Sequence, residues 1–204
     1  DFSNNTYAQI LSSILDEFDI DIVHINTQVG HTFDIFTVPA LKNIPIVYTV
    51  HDYFYICPTI HLVDTRGNYC GICMEGSTRY NCLEHHSYLS YINFKFGGTE
   101  LDKFRKNFRA VMHHVNVFVF PSHAAKDIFL KFYGIDERKC RVIYHGTTLL
   151  KSETIVPEKE NGKLHVGIIG SMFTHKGKNT IQALISSLKK NPIKFFHFGD
   201  GDLA

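Results

Sequence analysis

The stretch VNVFVFPSHAAKDIFLKFYG, residues 115–134, decides the fold class. Apart from Asn116, residues 115–120 are β-branched or aromatic, which is typical of a buried strand. Ser122 is a suitable N-cap for a helix over residues 124–133, and Gly134 can end that helix because glycine tolerates left-handed backbone angles. Residues 141–144 return to a strand pattern. A strand, a helix and a second strand in this order predict parallel α/β structure.

The same alternation continues upstream. Apolar residues from Tyr7 to Phe18 recur at helical spacing, and residues 20–25 follow as a short strand. Residues 33–41 predict a second helix, and residues 46–50 predict a core strand. The chain upstream of residue 115 is therefore expected to wind into the same parallel sheet.

Two further stretches are less regular. Residues 51–83 lose hydrophobic periodicity and are expected to form a Cys-rich insertion. Residues 84–114 are rich in aromatic side chains and predict helix, broken near Gly97 and Gly98.

A polar stretch then separates two parts of the chain. Residues 151–163 contain Pro157 and Gly162 and are predicted to form a linker. Residues 1–150 would form one domain, whose first strand would precede Asp1, and residues 164–204 the truncated start of a second. That second part has strand patterns over 164–169 and 193–198 around a helix pattern over 178–190, which is one βαβ unit.

The first turn of this βαβ unit is suited to phosphate. A strand predicted to be buried ends at Gly170, and Lys176 lies just before the helix, whose start offers free N–H groups and positive dipole. The other interpretation is that Gly170 only permits a tight turn and that Lys176 is a solvated charge. Neither G-x-G-x-x-G nor G-x-x-x-x-G-K-[ST] is present, so dinucleotide and P-loop chemistry are not supported.

Four cysteines are grouped inside the insertion. They have the spacing C-x12-C-x2-C-x8-C and are Cys57, Cys70, Cys73 and Cys82. Four thiolates suit one structural zinc ion, which would order a loop with few apolar residues. An iron–sulfur cluster and free, partly buried thiols are the alternatives. The fifth cysteine, Cys140, begins a strand and is expected to pack in the core.

Composition limits the class of partner. The formal net charge is +1, so no overall electrostatic attraction favours nucleic acid. The longest apolar runs fall well short of the roughly 20 residues that a spanning helix needs, and no signal-peptide pattern opens the chain. The sequence therefore predicts a cytoplasmic protein, and both ends of the chain look cut from something longer.

Three groups of segments, taken in order, resemble one enzyme family. The first is DIVH at 21–24 with YTVHD at 48–52, the second VFPSHAAK at 119–126 with RVIYHG at 141–146, and the third IGSMFTHKG at 169–177 with GDG at 199–201. Together they are similar to the retaining glycosyltransferases of family 4, which have the GT-B fold of two facing Rossmann-like domains. The expected fold class is therefore α/β and GT-B-like, with a Rossmann-like N-terminal domain and the first βαβ unit of a second Rossmann-like domain.

The resemblance implies a reaction and a set of donor contacts. A sugar would pass from a nucleotide-diphosphate sugar to an acceptor hydroxyl with retention, and no metal would act at the chemistry. Lys176 matches the family's pyrophosphate lysine, whereas Ser171 stands where the family usually has an arginine. The residues expected to hold the donor are Gly170, Ser171, Lys176, Gly177, Gly199 and Gly201.

On the acceptor side, the resemblance points to His51 and Asp52 as the catalytic residues. A neutral His51 imidazole would hydrogen-bond a sugar hydroxyl near the transferring carbon, and Asp52 would orient it or cap the following turn. The alternative is that both are ordinary loop residues. The His51 and Lys176 sites are expected to face one groove.

Some of the family's features are absent from this sequence. The Gly-rich acceptor loop would precede Asp1, and the E-x7-E segment would follow Ala204. The hypothesis is that the 204-residue chain alone does not turn over sugar. Two other interpretations remain, a GT-B epimerase or phosphorylase and a non-catalytic, metal-stabilised binding module.

The acceptor implied by the resemblance is a glycan or a lipid-linked intermediate in polysaccharide or glycolipid biosynthesis. Such an acceptor would place the protein at the inner face of the membrane. Peripheral membrane contact would use the basic residues Lys95, Lys103, Arg105, Lys106 and Arg109.

Overall fold

The structure is a computed structural model that describes residues 2–27, 29–64, 68–69, 98–146 and 162–201. The chain divides into two compact units, residues 1–146 and 147–204. Each unit contains its own parallel sheet. The predicted fold class, α/β with one Rossmann-like domain and the first βαβ unit of a second, is confirmed.

Unit 1 is built on a parallel sheet whose described strands have the order β1-β2-β3-β4. Their bounds are β1 Val23–Ile25, β2 Ile46–Thr49, β3 Val117–Phe120 and β4 Cys140–Val142. The described helices of this unit are α1 Asn5–Glu17, α2 Asp34–Leu41, α3 Gly98–Val111 and α4 His123–Tyr133. Because all strand pairs are parallel, the carboxyl ends of the strands share one edge.

The end of α1 explains why β1 starts later than predicted. The helix is capped at its start by Asn4, whose Oδ1 accepts from the Tyr7 amide at 3.0 Å. Past its end, Asp19 has a positive φ of 48°, and the Ile20 amide still donates to a carbonyl of the helix. Residues 20–22 therefore belong to the connection rather than to the strand.

The buried carboxylate of Asp34 joins α1 to α2. It accepts hydrogen bonds from the Ser3 hydroxyl, the Asn4 amide and the Thr32 hydroxyl at 2.7 to 2.8 Å. Burial opposes ionisation of Asp34, but these hydrogen bonds outweigh it and hold its pKa below the usual value. The charged carboxylate thus fixes the chain before both helices.

The helix of the segment 115–134, on which the predicted fold class was based, is capped and ends as predicted. The Ser122 hydroxyl accepts from the Ala125 amide at 3.2 Å and caps α4, which confirms its role as a helix cap. Gly134 ends α4 with φ 64° and ψ 37°. Phe129 and Tyr133 of this helix are buried against the core.

Aromatic side chains dominate the core of unit 1. Phe36, Tyr48, Tyr55 and Phe108 contact one another, and the rings of Tyr55 and Phe108 stack with centroids 3.9 Å apart. Tyr55 lies in the predicted insertion, and residues 54–57 of that insertion, including Phe54 and Ile56, are buried. This part of the insertion is therefore core, while residues 65–67 and 70–83 lie outside the described residues.

One hydroxyl in this core is an exception to its apolar surroundings. The Tyr48 hydroxyl is fully buried and has no hydrogen-bond partner among the described residues, and burial raises its pKa well above the usual value. We expect Tyr48→Phe to stabilise unit 1 by about 1 kcal/mol, because it removes an unsatisfied polar group from the core. Chemical denaturation of the variant measures the change.

Tyr133→Phe is the matched control for that substitution. The Tyr133 hydroxyl donates to the Tyr55 carbonyl, so its removal leaves a buried acceptor unpaired. We expect this variant to lose about 1 kcal/mol or more of stability. If Tyr48→Phe loses as much stability as Tyr133→Phe, the claim that the unpaired Tyr48 hydroxyl destabilises the core is wrong.

The basic helix α3 corrects one expectation. Arg105, predicted to contact a membrane, is 1% exposed, and its Nε donates to the Ile56 carbonyl at 2.8 Å. Its guanidinium also lies 5.0 Å from the Phe132 ring centre. Arg105 is a core residue because its side chain reaches the Ile56 carbonyl and the Phe132 ring, whereas Lys103 and Lys106 are exposed and Lys95 lies outside the described residues.

Unit 2 contains strands β5 Leu164–Ile169 and β6 Ile193–Phe198, which pair in parallel, and helix α5 Lys178–Ser187. Both strands have the predicted bounds. The expectation that β5 is buried was wrong: Ile169 is 88% exposed and Leu164 is 58% exposed. The reason is that the described sheet of this unit has two strands and no residue of α5 is buried.

Candidate functional site

The carboxyl edge of the unit 1 sheet collects polar side chains from several strands. His51 lies two residues after β2, Ser122 two residues after β3, and His145 three residues after β4. The rings of His51 and His145 are parallel within 5°, with centroids 6.1 Å apart. The structure thus places one predicted site residue, His51, beside a histidine that the sequence had not singled out.

His51 is held by the strand that precedes it. Val50 is 1% exposed, and its amide donates to the Val119 carbonyl at 2.8 Å, so the backbone before His51 is fixed to β3. The His51 imidazole itself is exposed. A rigid backbone with an accessible ring is suited to contacting a ligand at this edge.

Asp52 has a structural task in the next turn. Its Oδ1 accepts from the Phe54 amide at 2.8 Å, which leads the chain into the buried residues 54–57. Of the two roles expected for Asp52, the structure therefore shows the capping contact.

A second pair of polar residues lies on β1 and β2. The His24 Nε2 is 2.8 Å from the Thr49 hydroxyl, and His24 is exposed. This imidazole is already partnered by a side chain of the neighbouring strand. His51 and His145 have no such hydrogen bond to the described residues, so both imidazoles are available at this edge.

The candidate donor turn in unit 2 is organised by close backbone contacts. The Gly170 amide donates to the Phe198 carbonyl at 2.9 Å, and the Met172 amide donates to the Asp200 carbonyl at 2.8 Å. A Cβ on Gly199 would lie 2.4 Å from the Gly170 oxygen, so no side chain fits there. Ser171 lies between these contacts and is half-buried.

The remaining donor-side residues begin the helix. Lys176 ends a short 3-10 turn, Thr174–Lys176, and is exposed. Gly177 follows with φ 89° and ψ 20° and forms the N-cap of α5. Gly201 has φ 90°, and a Cβ there would lie 3.2 Å from the Met172 side chain. Gly170, Gly199 and Gly201 therefore occupy two loops joined by hydrogen bonds, and Lys176 and Gly177 lie immediately before the helix.

Neighbouring charge affects one group in this turn. Burial and the nearby Lys176 ammonium lower the pKa of His175 below its usual value. The imidazole is thereby favoured in its neutral form beside the exposed lysine, which leaves Lys176 as the cation of this turn.

Of the four cysteines expected to bind a metal ion, only Cys57 lies within the described residues. Cys57 is buried, and its Sγ lies 3.1 Å from the Thr59 hydroxyl. Cys70, Cys73 and Cys82 lie outside the described residues. Within the described ranges no group of three or more histidine, cysteine or acidic side chains is arranged to hold a metal ion. Cys140 is buried beside the Asp136 carbonyl, as expected for core packing.

No helix in the described part of the chain has the length and apolar character needed to cross a membrane. The basic side chains that remain exposed on α3 include Lys103 and Lys106. The Arg109 guanidinium donates to the Phe132 carbonyl at 3.2 Å and lies 5.4 Å from the Tyr133 ring centre.

Comparison with known proteins gives one family match. The model of Glycosyltransferase Family 4 matches residues 4–149. A crystal structure of a glycosyltransferase from Rickettsia africae ESF-5 is similar over 98% of this chain, with 16% identity and a TM-score of 0.47. The chain spans 54% of that structure's length. None of the curated proteins matches the chain.

Proposed function

The chain belongs to glycosyltransferase family 4, and from this premise we propose that it transfers a sugar from a nucleotide-diphosphate sugar to an acceptor hydroxyl with retention of configuration. The observation that carries the donor half of this proposal is the meeting of two glycine loops at the carboxyl ends of β5 and β6. The Gly170 backbone approaches Gly199 too closely for a Cβ on Gly199, which leaves main-chain groups at the surface of this edge. Parallel α/β sheets bind nucleotides at such edges.

Lys176 supplies the charge that a diphosphate needs. It is exposed and directly precedes the Gly177 cap of α5. The first turn of a helix carries unpaired N–H groups and positive dipole, and an ammonium group adds a full positive charge. Ser171 occupies the position where the family usually has an arginine, so Lys176 is assigned the larger share of phosphate binding.

His51 is assigned the contact with the transferred sugar or the acceptor. Its ring is exposed at the carboxyl edge of unit 1, and its backbone is anchored through Val50. A neutral imidazole donates or accepts a hydrogen bond to a hydroxyl without bringing a competing charge. Asp52 supports this residue indirectly, through the turn that it caps.

The acceptor in this proposal is a glycan or a lipid-linked intermediate of polysaccharide or glycolipid synthesis. Exposed Lys103 and Lys106 on α3 would contact an anionic membrane surface. Arg105 is excluded from this contact by its burial.

A structural zinc ion is the second component of the proposal. Cys57 is buried at the start of the insertion, and three further cysteines follow within the next 25 residues. The Cys57 thiol, beside the Thr59 hydroxyl, fits the proposed role because it is held in place by buried neighbours on both sides. Four thiolates would close a tetrahedral site that has no open position for catalysis.

The donor assignment is tested with Lys176→Ala. We expect the variant to bind inorganic pyrophosphate at least about tenfold more weakly than the unmodified chain, because a charge-assisted contact is lost. Calorimetric titration of the 204-residue chain measures the affinity. Lys189→Ala removes another exposed lysine, beyond the other end of α5, and should leave binding unchanged. If both substitutions weaken pyrophosphate binding equally, the affinity depends only on the net charge of the chain and not on Lys176.

A further inference from the structure

The pair formed by His51 and His145 has properties that sugar binding does not require. Both rings are exposed, and neither has a hydrogen bond to the described residues. They lie parallel within 5°, with centroids 6.1 Å apart. Two other imidazoles are already engaged: His24 pairs with Thr49, and His197 lies 2.8 Å from the Gly170 carbonyl oxygen.

From this geometry we infer that His51 and His145 form a binding site for a first-row transition-metal dication such as Zn²⁺, Ni²⁺ or Cu²⁺. A metal–nitrogen bond is about 2.1 Å long and a ring nitrogen lies about 1.1 Å from its ring centre, so two imidazoles on one ion have centroids at most about 6.4 Å apart. The observed 6.1 Å lies within this limit. Both side chains are exposed, so small side-chain rotations can bring the rings to the shorter spacing of a tetrahedral site.

The residue types decide the class of ion. Imidazole nitrogens favour zinc, copper and nickel, whereas magnesium and calcium require oxygen ligands. Within the described ranges, no third histidine, cysteine or acidic residue joins this pair as a ligand. The ion would therefore hold two protein ligands and complete its coordination with water.

The anchoring of the two rings favours chelation by both. His51 follows Val50, whose amide is bonded to β3, and His145 follows Ile143, whose amide donates to the Phe120 carbonyl at 2.9 Å. The backbone before each ring is thus tied to the same strand. Because the main chain before each ring is fixed, an ion that binds one imidazole finds the second already near, and little ordering entropy is lost.

This site is separate from the four-cysteine site. Cys57 is buried among core residues, whereas both imidazoles are exposed at the edge of the sheet. The inference also does not depend on the proposed sugar transfer, because a metal titration involves neither donor nor acceptor.

Nickel titration followed by NMR of the imidazole Cε1–H signals tests the inference. The 204-residue chain is first loaded with zinc, so that thiolate sites are filled, and then dialysed against a weak chelator that removes zinc held by two imidazoles but not zinc held by four thiolates. Paramagnetic Ni²⁺ broadens the signals of the rings that bind it. We expect the His51 and His145 signals to broaden together and before those of the other histidines.

Single substitutions then assign the ligands. His51→Gln should make the His145 signal respond only at roughly tenfold higher nickel or more, and His145→Gln should do the same to His51, because chelation by two rings is lost. His123→Gln, at the first residue of α4, removes an exposed histidine near the same edge and should change neither response. The inference is overturned if the two signals broaden no earlier than that of His123, or if either ring responds unchanged after its partner is removed.

Discussion

Gly199→Ala is expected to unfold the β5–β6 region of unit 2. The added Cβ would lie 2.4 Å from the Gly170 oxygen and 2.6 Å from the Gly170 carbonyl carbon, both backbone atoms that cannot rotate away. Gly199 also has φ +152°, which alanine rarely adopts. Overpacking and backbone strain together predict a loss of about 3 kcal/mol or more.

Hydrogen exchange of unit 2 amides measures this effect. The informative amide is that of Gly170, which donates to the Phe198 carbonyl next to the substituted residue. Gly167→Ala is the matched control, because a Cβ at Gly167 would lie 3.9 Å from the Phe198 ring, an ordinary contact. We expect the control to change stability by less than about 0.5 kcal/mol. Equal protection of the Gly170 amide in both variants would contradict the close approach of the two loops.

Phe108→Ala is expected to cost unit 1 about 3 to 5 kcal/mol of stability. Phe108 is 0% exposed, its ring stacks on Tyr55 at 3.9 Å, and it meets Tyr133 edge-on at 5.0 Å. The substitution removes this packing and leaves a cavity between α3 and the sheet. Since whole domains are stable by about 5 to 15 kcal/mol, a large share of the stability of unit 1 would be lost.

Phe18→Ala provides the comparison for this substitution. Phe18 is 66% exposed at the end of α1, so its removal should cost less than about 0.5 kcal/mol. Urea denaturation of both variants, followed by far-ultraviolet circular dichroism, gives the two free energies of unfolding. A cost for Phe108→Ala no larger than that for Phe18→Ala would show that α3 does not pack on the sheet as described.

The sequence was most informative where periodicity and caps agreed. Strands β5 and β6 have the predicted bounds, and α4 is capped by Ser122 and ended by Gly134 as expected. These features depend on neighbouring residues, which a sequence pattern records directly. The start of β1 was missed because Asp19 and Ile20 still complete the end of α1.

Burial was harder to predict because it depends on distant parts of the chain. The sequence pattern predicts Arg105 to be a surface charge on a basic helix, but its Nε donates to the Ile56 carbonyl in the core. The sequence pattern predicts Ile169 to be a buried strand residue, but it is 88% exposed. In both cases the local pattern was interpreted correctly as helix or strand, but the neighbours across space were not visible in it.

The candidate site was also predicted only in part from the sequence. His51 could be selected through the family resemblance of residues 48–52, and the structure places it just after β2, at the carboxyl edge of that strand. Its stacking partner His145 was not predicted, because β3 separates the two strands in the sheet. The carboxyl ends of parallel strands lie at one edge of a sheet, so the strand pattern in residues 140–145 could have indicated that His145 lies near His51. The close contact between Gly170 and Gly199 was also not predicted, because it depends on the register of β5 and β6.

The most direct test of the central claim is an amide chemical-shift titration of the ¹⁵N-labelled 204-residue chain with UDP-, GDP- and ADP-linked sugars. Nucleotide-sugar donation predicts that at least one of them shifts the amides of Gly170, Ser171 and Gly177, while the corresponding nucleosides and free sugars do not. If all three kinds of nucleotide sugar leave these amides unchanged at millimolar concentration, the assignment of the turn between β5 and α5 as the donor site is contradicted.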